Sequence, residues 1–371
     1  MIEIRHNSVL FLARLKGCYA LHYIAEENGE PMKRNKLPLR IVAQEAGVSV
    51  STVSRYVRGD LVLSPETEHK IIEAARTLDY PLRLSTNQRK RSIGVIVPNL
   101  SNSFFSVLVD AIVQTAHGLG YRVVVESTHN SIQRQMDYVI SLRDYLVDGI
   151  LYCAHTAENE VLKEYVKRGG HVVLVDEDVP ELDGVSRVFV NNYEGMRQGT
   201  RYLLQCGHRR IGYIGGPSGL MTAQERQRGF FDEMAAWNIM VPSEWAVSGD
   251  FSTRVGREYA EILWAHGVTA IVASDDTVAV GVLQYCQESR IMVPDQLSIM
   301  GFDDVSLASL LMPALTTIHQ PIEELGRRSV ELLLAKIEDP NQSPTTLTLP
   351  VSLMMRQSVR SIVEPVPTDV Q

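Results

Sequence analysis

From residue 93 onward the sequence alternates short apolar runs with longer amphipathic segments, and no other feature restricts the fold as much. The runs lie at residues 93–97, 122–126, 149–152, 171–175, 210–214, 270–273 and 297–302. Apolar runs of this length, separated by helical spacers, predict parallel strands joined by crossover helices. The expected class is α/β, with a doubly wound body. The unit recurs in two halves, opened by Ile93-Gly94-Val95-Ile96-Val97 and by Ile211-Gly212-Tyr213-Ile214-Gly215. Two such lobes enclose a cleft at the carboxyl ends of their strands, where ligands of open α/β sheets bind.

The chain has 371 residues, too many for one ordinary core, so a small module beside one or two larger domains is expected. With 45% hydrophobic and 22% charged residues, its composition is that of a globular protein. No apolar run reaches the roughly 18 to 20 residues that span a bilayer, so no membrane partner is expected. Cys18, Cys153, Cys206 and Cys286 are far apart and form no CxxC pair, which argues against a zinc site or a disulfide framework. They read as reduced thiols of a cytoplasmic protein; no metal and no cofactor is expected. Leu15-Lys16-Gly17-Cys18 faintly resembles a lipoprotein cleavage box, but Arg14 and Lys16 interrupt the apolar stretch before it.

The net charge of −8 conceals an asymmetry. Residues 33–92 carry 12 Lys and Arg against 6 Asp and Glu, whereas residues 93–371 carry 21 against 34. A basic segment on an acidic body suits nucleic-acid binding, because only the docking face must neutralise phosphates.

Within the basic segment, Leu39-Arg40-Ile41-Val42-Ala43-Gln44-Glu45-Ala46-Gly47-Val48-Ser49-Val50-Ser51-Thr52-Val53-Ser54-Arg55-Tyr56 reads as a helix-turn-helix. Ala43 lets two helices cross closely, Gly47 accepts a left-handed turn, Val48 and Val53 fill the small core, and Ser49 caps the second helix. The N-terminal part of that helix presents Val50, Ser51, Thr52 and Arg55, where a recognition helix meets base edges. Arg55 suits a guanine, Ser51 several bases, and Val50 a thymine methyl. A third helix is expected after Ser64 and Pro65, with Ile71, Ile72, Ala75 and Leu78 buried.

Ala46-Gly47-Val48-Ser49, Thr52-Val53-Ser54-Arg55, Leu78-Asp79-Tyr80 and Ile93-Gly94-Val95-Ile96-Val97-Pro98 together resemble the lactose-repressor (LacI/GalR) family of bacterial regulators. Further family-like landmarks follow in order: Ser101-Asn102-Ser103-Phe104-Phe105, Gly207-His208-Arg209-Arg210-Ile211, Ser274-Asp275-Asp276-Thr277-Val278-Ala279, Gly301-Phe302-Asp303-Asp304, Leu315-Thr316-Thr317-Ile318 and Leu349-Pro350-Val351. The resemblance implies a homodimer whose small all-α heads bind near-palindromic operator DNA. It also implies a two-lobed body, similar to periplasmic sugar-binding proteins, that holds a small effector, with a sugar or sugar derivative expected. Phe104 is expected to stack on a ring of that effector, while Asn191, Arg226, Asp275 and Asp303 bond to its polar groups. The implied role is an effector-responsive repressor of a carbohydrate-utilisation operon, under either inducer or corepressor logic.

Some positions depart from the family. Pro38 and Ile41 stand where the family has Thr and Asp, leaving phosphate contacts to Lys33, Arg34 or Lys36; Arg58 replaces an Asn and adds positive charge beside the groove. The segment after residue 80 is shorter than usual, and Leu84 is a weak candidate for the minor-groove wedge. Arg89, Lys90 and Arg91 suit either phosphate contacts or a solvated linker. Asp275 stands where Asn is common.

The expected organisation is an extension over 1–31, a DNA-binding domain over 32–80, a linker over 81–92, a two-lobed effector and dimerisation domain over 93–360, and a tail over 361–371. Met32 is read as the natural start; N-terminal mass spectrometry of the natively expressed protein should find no peptide upstream of it. Two rival functions remain. A sugar-binding protein without a regulatory role would share the body but not the head. An enzyme would need motifs that are missing: Gly212-Tyr213-Ile214-Gly215-Gly216 is not GxGxxG, Gly216-Pro217-Ser218-Gly219 is not GxSxG, and there is no HExxH or P-loop.

Overall fold

A computed structural model describes residues 39–57, 61, 63–78, 80, 91–144, 147–153 and 159–363. The expectations for the extension, Lys33, Arg34, Lys36, Pro38, Arg58, Leu84, Arg89, Lys90 and the end of the tail fall outside these residues. The chain divides into two units between Gln88 and Arg89.

In the first unit, α1 (Leu39–Glu45) and α2 (Val50–Val57) are joined by a turn at Gly47, whose φ of +65° favours a residue without Cβ. Ser49 Oγ accepts a hydrogen bond from the Thr52 amide at 3.0 Å and so caps α2. Helix α3 (Pro65–Thr77) starts at Ser64, whose side chain accepts from the Thr67 amide. The core between them is Val42, Ala43, Val53, Tyr56, Ile71, Ala74 and Ala75. Tyr56 also donates to Glu68 Oε1 at 2.5 Å, tying α2 to α3. Ile72 and Leu78 are only half-buried, and Ala74 joins Ile71 and Ala75 in the core, because the buried stripe of α3 runs along its Ala74 side.

The second unit has two lobes. The first begins with β1 (Ser92–Val97), α4 (Ser103–Gly118), β2 (Arg122–Ser127), α5 (Ile132–Asp144), β3 (Gly149–Tyr152), α6 (Glu160–Lys167), β4 (Val172–Val175) and β5 (Ser186–Val190). The second lobe follows with α7 (Asn192–Gln205), β6 (Ile211–Gly215), α8 (Met221–Ala236), β7 (Ala246–Ser248), α9 (Thr253–Ala265), β8 (Ala270–Ala273), α10 (Asp276–Glu288), β9 (Ser298–Met300) and β10 (Thr317–His319). The chain then returns to the first lobe through α11 (Ile322–Glu338) and β11 (Thr346–Leu349), and crosses once more to β12 (Ser352–Met354).

Sheet order is β11-β5-β4-β3-β1-β2 in the first lobe and β7-β6-β8-β9 in the second, with every pairing parallel; β10 and β12 form a small antiparallel pair. Strands β3, β4 and β8 are buried throughout, as strands covered by helices on both faces must be. The second lobe depends on a close helix crossing. A Cβ on Gly256 would lie 2.0 Å from the Val278 carbonyl oxygen, and one on Gly281 would lie 2.0 Å from that of Thr253. No helix among the described residues is long and apolar enough to cross a membrane.

Candidate functional site

The strand ends converge on a small, partly open cavity of about 30 Å3 between the lobes, far below the roughly 300 Å3 of small-ligand pockets, so a ligand of sugar size needs the lobes further apart. The first lobe supplies Phe104 and Phe105 from the first turn of α4, and Asp176 from the loop after β4. The second supplies Thr222 and Arg226 from α8, Phe251, Asp275 from the end of β8, and Asp303 beyond β9. Gln320 enters from the crossing between β10 and α11.

Phe104 is fixed by its place on the helix. Asn102 caps α4 through the Phe104 amide at 2.9 Å, and the Phe104 ring meets that of Phe105 edge-on with centroids 5.1 Å apart. Arg226 is buried and held on several sides. Its Nε donates to Asn192 Oδ1 at 2.8 Å, its Nη1 donates to the Ser274 carbonyl at 2.7 Å, and Asp303 Oδ1 lies 3.4 Å away. The guanidinium also stacks over the Phe302 ring at 3.9 Å.

The carboxyls around it are as deeply buried. Asp275 caps α10 through the Val278 amide at 2.7 Å, and Asp303 Oδ1 accepts from Gln320 Nε2 at 2.6 Å. Burial pushes the Asp275 carboxyl up to about 7, with the Asp303 charge adding to the shift; burial also raises Asp303 to about 6, against the opposing pull of Arg226. Asp176 is driven well above the usual carboxylate range by burial and by Glu177. Asp276, just behind the pocket, is raised by burial and by Asp303, and is tied to the Thr317 hydroxyl at 2.6 Å and the Val305 amide at 3.0 Å. Asp176 and Asp303 have positive φ, +69° and +112°; such backbone is costly and gathers where a structure aims side chains at a ligand.

Four of the five residues expected to meet an effector therefore line one cavity: Phe104, Arg226, Asp275 and Asp303. Asn191 does not. It is exposed and caps α7 by accepting from the Glu194 amide at 3.0 Å, while the buried neighbour that touches Arg226 is Asn192. A cap turns the side chain back on its own helix and so takes Asn191 away from the cavity. Asp176, Thr222 and Gln320 were not singled out from sequence. The first could have been, since Asp176-Glu177-Asp178 directly follows a strand ending.

Other residues take structural roles. His208 is buried, with Nδ1 against the Thr269 hydroxyl at 2.9 Å and Nε2 against the Arg360 carbonyl at 3.1 Å. Tyr152 is fully buried and donates to Gln135 Oε1 at 2.7 Å.

In the first unit, α2 exposes Val50, Ser51 and Arg55 and half-exposes Thr52. The Ser49 hydroxyl lies 2.7 Å from those of both Ser51 and Thr52, which fixes the start of the helix.

Residues 39–81 match the family described as bacterial regulatory proteins, lacI family, and residues 200–359 match the periplasmic binding protein-like domain. The HTH-type transcriptional repressor PurR of Escherichia coli O139:H28 is 32% identical over 331 residues, covering 86% of this chain and 96% of that protein. The chain belongs to the lacI family of bacterial regulatory proteins. This regulator is also similar to PurR of Photobacterium profundum, 28% identical over 330 residues with 87% and 99% of the two chains covered. Among solved structures, the regulator resembles the CelR-cellobiose complex, with 26% identity, a TM-score of 0.67, and 87% and 100% coverage. It also resembles a LacI family regulator from Enterococcus faecium with bound ribose, with 25% identity, a TM-score of 0.67, and 73% and 100% coverage. The regulator is a DNA-binding transcriptional repressor of this family, and its relatives are regulators rather than enzymes.

Proposed function

We propose that this regulator represses carbohydrate-utilisation genes in the cytoplasm as a homodimer on a near-palindromic operator, and that a sugar or sugar derivative in the interlobe pocket sets its affinity for DNA. The observation that carries the reading is the pocket itself. Aromatic rings and convergent polar groups, drawn from both lobes, line one cavity, as a polyol with one apolar ring face requires. Bound cellobiose and ribose in two similar regulators support it. An effector that touches both lobes favours one lobe arrangement, and so one spacing of the paired heads. Three phenyl rings at the pocket also favour a second occupant, a flat nitrogen heterocycle such as a nucleobase.

On the DNA side, Val50, Ser51, Thr52 and Arg55 read the major groove, while Lys36 and Arg58 contact phosphates. A gel shift on DNA flanking the gene, at several salt concentrations and with sugars or nucleobases added, tests the whole reading. It fails if no site is bound more tightly than bulk DNA under any of these conditions. Arg55→Ala should cost about 1 to 3 kcal/mol on the best site and relax its specificity. An equal loss on every sequence would instead make Arg55 a phosphate contact.

A further inference from the structure

The pocket lining holds buried acceptors that no group of the protein satisfies. Of the six buried polar atoms without a hydrogen-bond partner among the described residues, two belong to residues lining it: Asp176 Oδ1 and Gln320 Oε1. Both are acceptors, and both side chains are more than nine-tenths buried. The Gln320 orientation is set by its amide, which donates to Asp303; reversing it would place two acceptors face to face. Two of the five N–H groups of Arg226 go to Asn192 and the Ser274 carbonyl, its Nη1 lies 3.4 Å from Asp303, and the Thr222 hydroxyl donates to Glu177. Three carboxyls, Asp176, Asp275 and Asp303, thus share a pocket with one guanidinium.

Taking the interlobe pocket as the effector site, as proposed above, we infer that its ligand is a cation: a polyhydroxylated compound carrying a protonated amine, such as an amino sugar, which the Asp176, Asp275 and Asp303 carboxylates receive. An ammonium group brings three donors and a positive charge to a place that has unpaired acceptors and three carboxyls beside one guanidinium. A neutral sugar supplies hydroxyl donors but leaves the charge unbalanced. An anion meets three carboxylates at close range. The phenyl faces of Phe104, Phe105 and Phe251 suit both the apolar face of a sugar ring and the cation. Burial, which outweighs the pull of Arg226, holds the three carboxyls back from ionising, and a cation at close range would favour their charged forms.

The test uses the purified full-length protein, calorimetric titration, and sets matched in stereochemistry: D-glucose, D-glucosamine and D-glucuronate; D-galactose, D-galactosamine and D-galacturonate; and the corresponding mannose set. One amine should bind about tenfold or more tightly than its neutral counterpart, the difference a single charged hydrogen bond provides, and the acids should not bind. Asp275→Asn keeps an α10 cap, because Asn caps as well as Asp, and should shrink the amine preference about fivefold or more. Affinity for the amine should rise from about pH 5 to about pH 7 as Asp303 and Asp275 ionise against Arg226, with Asp176, Glu177 and Asp276 adjoining. A neutral or acidic member that binds best, or an Asp275→Asn variant with unchanged preference, overturns the cation while the sugar reading stands. If none of the nine binds, both fall.

Discussion

Replacing Arg226 with Met should destabilise the body by about 3 to 5 kcal/mol near pH 8, and the loss should shrink as the pH falls toward about 5. The residue is buried, and Met preserves much of its volume, so packing alone predicts a small effect. The charge does not allow one. Arg226 is the cation lining the pocket with Asp176, Asp275 and Asp303, and removing one partner of a buried charge network leaves the others uncompensated. The pH dependence follows from the carboxyls, whose folded-state values lie above their ordinary ones, up to about 7 for Asp275 and about 6 for Asp303. For such groups the native state holds more protons than the unfolded chain, so stability is full below the ordinary carboxylate range and falls as pH rises through the folded values. Without the guanidinium those values move higher and the alkaline loss steepens, whereas in acid the neutral carboxyls no longer need it. Urea denaturation of wild type and Arg226→Met across this pH range measures both effects. A deficit independent of pH would show that Arg226 acts through packing and its contact with Phe302, not through charge.

How much of this site the sequence disclosed depended on what placed each residue. Asp275 and Asp303 came from resemblance to a family, and their places agree with it, since each closely follows a run recognisable as a strand and the carboxyl ends of parallel strands are where side chains meet ligands. Arg226 and Phe104 lie on helices, whose pattern shows a buried stripe but not what the stripe faces; resemblance to a family supplied them. Asn191 and Asn192 were indistinguishable, because adjacent residues at a helix start exchange roles with a small change in where the helix begins. Gln320 follows β10, and that strand was missed along with β5, β7, β11 and β12. Those at β7, β10 and β12 are three residues long, too short for a period of two to register. Strand β5 contains Arg187, which breaks the apolar run until Asp178 and the carbonyls of Leu182 and Val185 are seen to receive it. The head was legible almost residue by residue, because its turn, cap and core all fall within one short segment. Tyr56 was the omission, since its hydroxyl partner is twelve positions away on the next helix.

Glu177→Ala should weaken effector binding by about tenfold to a hundredfold although the side chain is absent from the pocket lining. Glu177 belongs to the first lobe, directly after Asp176, yet its carboxylate ends on the second. Oε2 accepts from the Met221 amide at 2.9 Å, and Oε1 accepts from the Thr222 amide at 3.2 Å and from the Thr222 hydroxyl. These are orphan donors of the first turn of α8, where the helix dipole also favours a negative charge. A hydrogen bond to a charged group contributes about 1.5 to 3 kcal/mol, so loss of this set removes a comparable amount from the lobe arrangement in which it forms. Pocket residues come from both lobes, and ligand affinity scales with the fraction of molecules holding them together. The variant should also enlarge the radius of gyration of the effector-free protein in solution scattering, with effector restoring the wild-type value. Thr222→Val, which removes only the hydroxyl, should move both quantities in the same direction by less. If Glu177→Ala lowers stability but leaves affinity and radius unchanged, the carboxylate is only a helix cap. If all three respond together, it is the fastening against which the effector works.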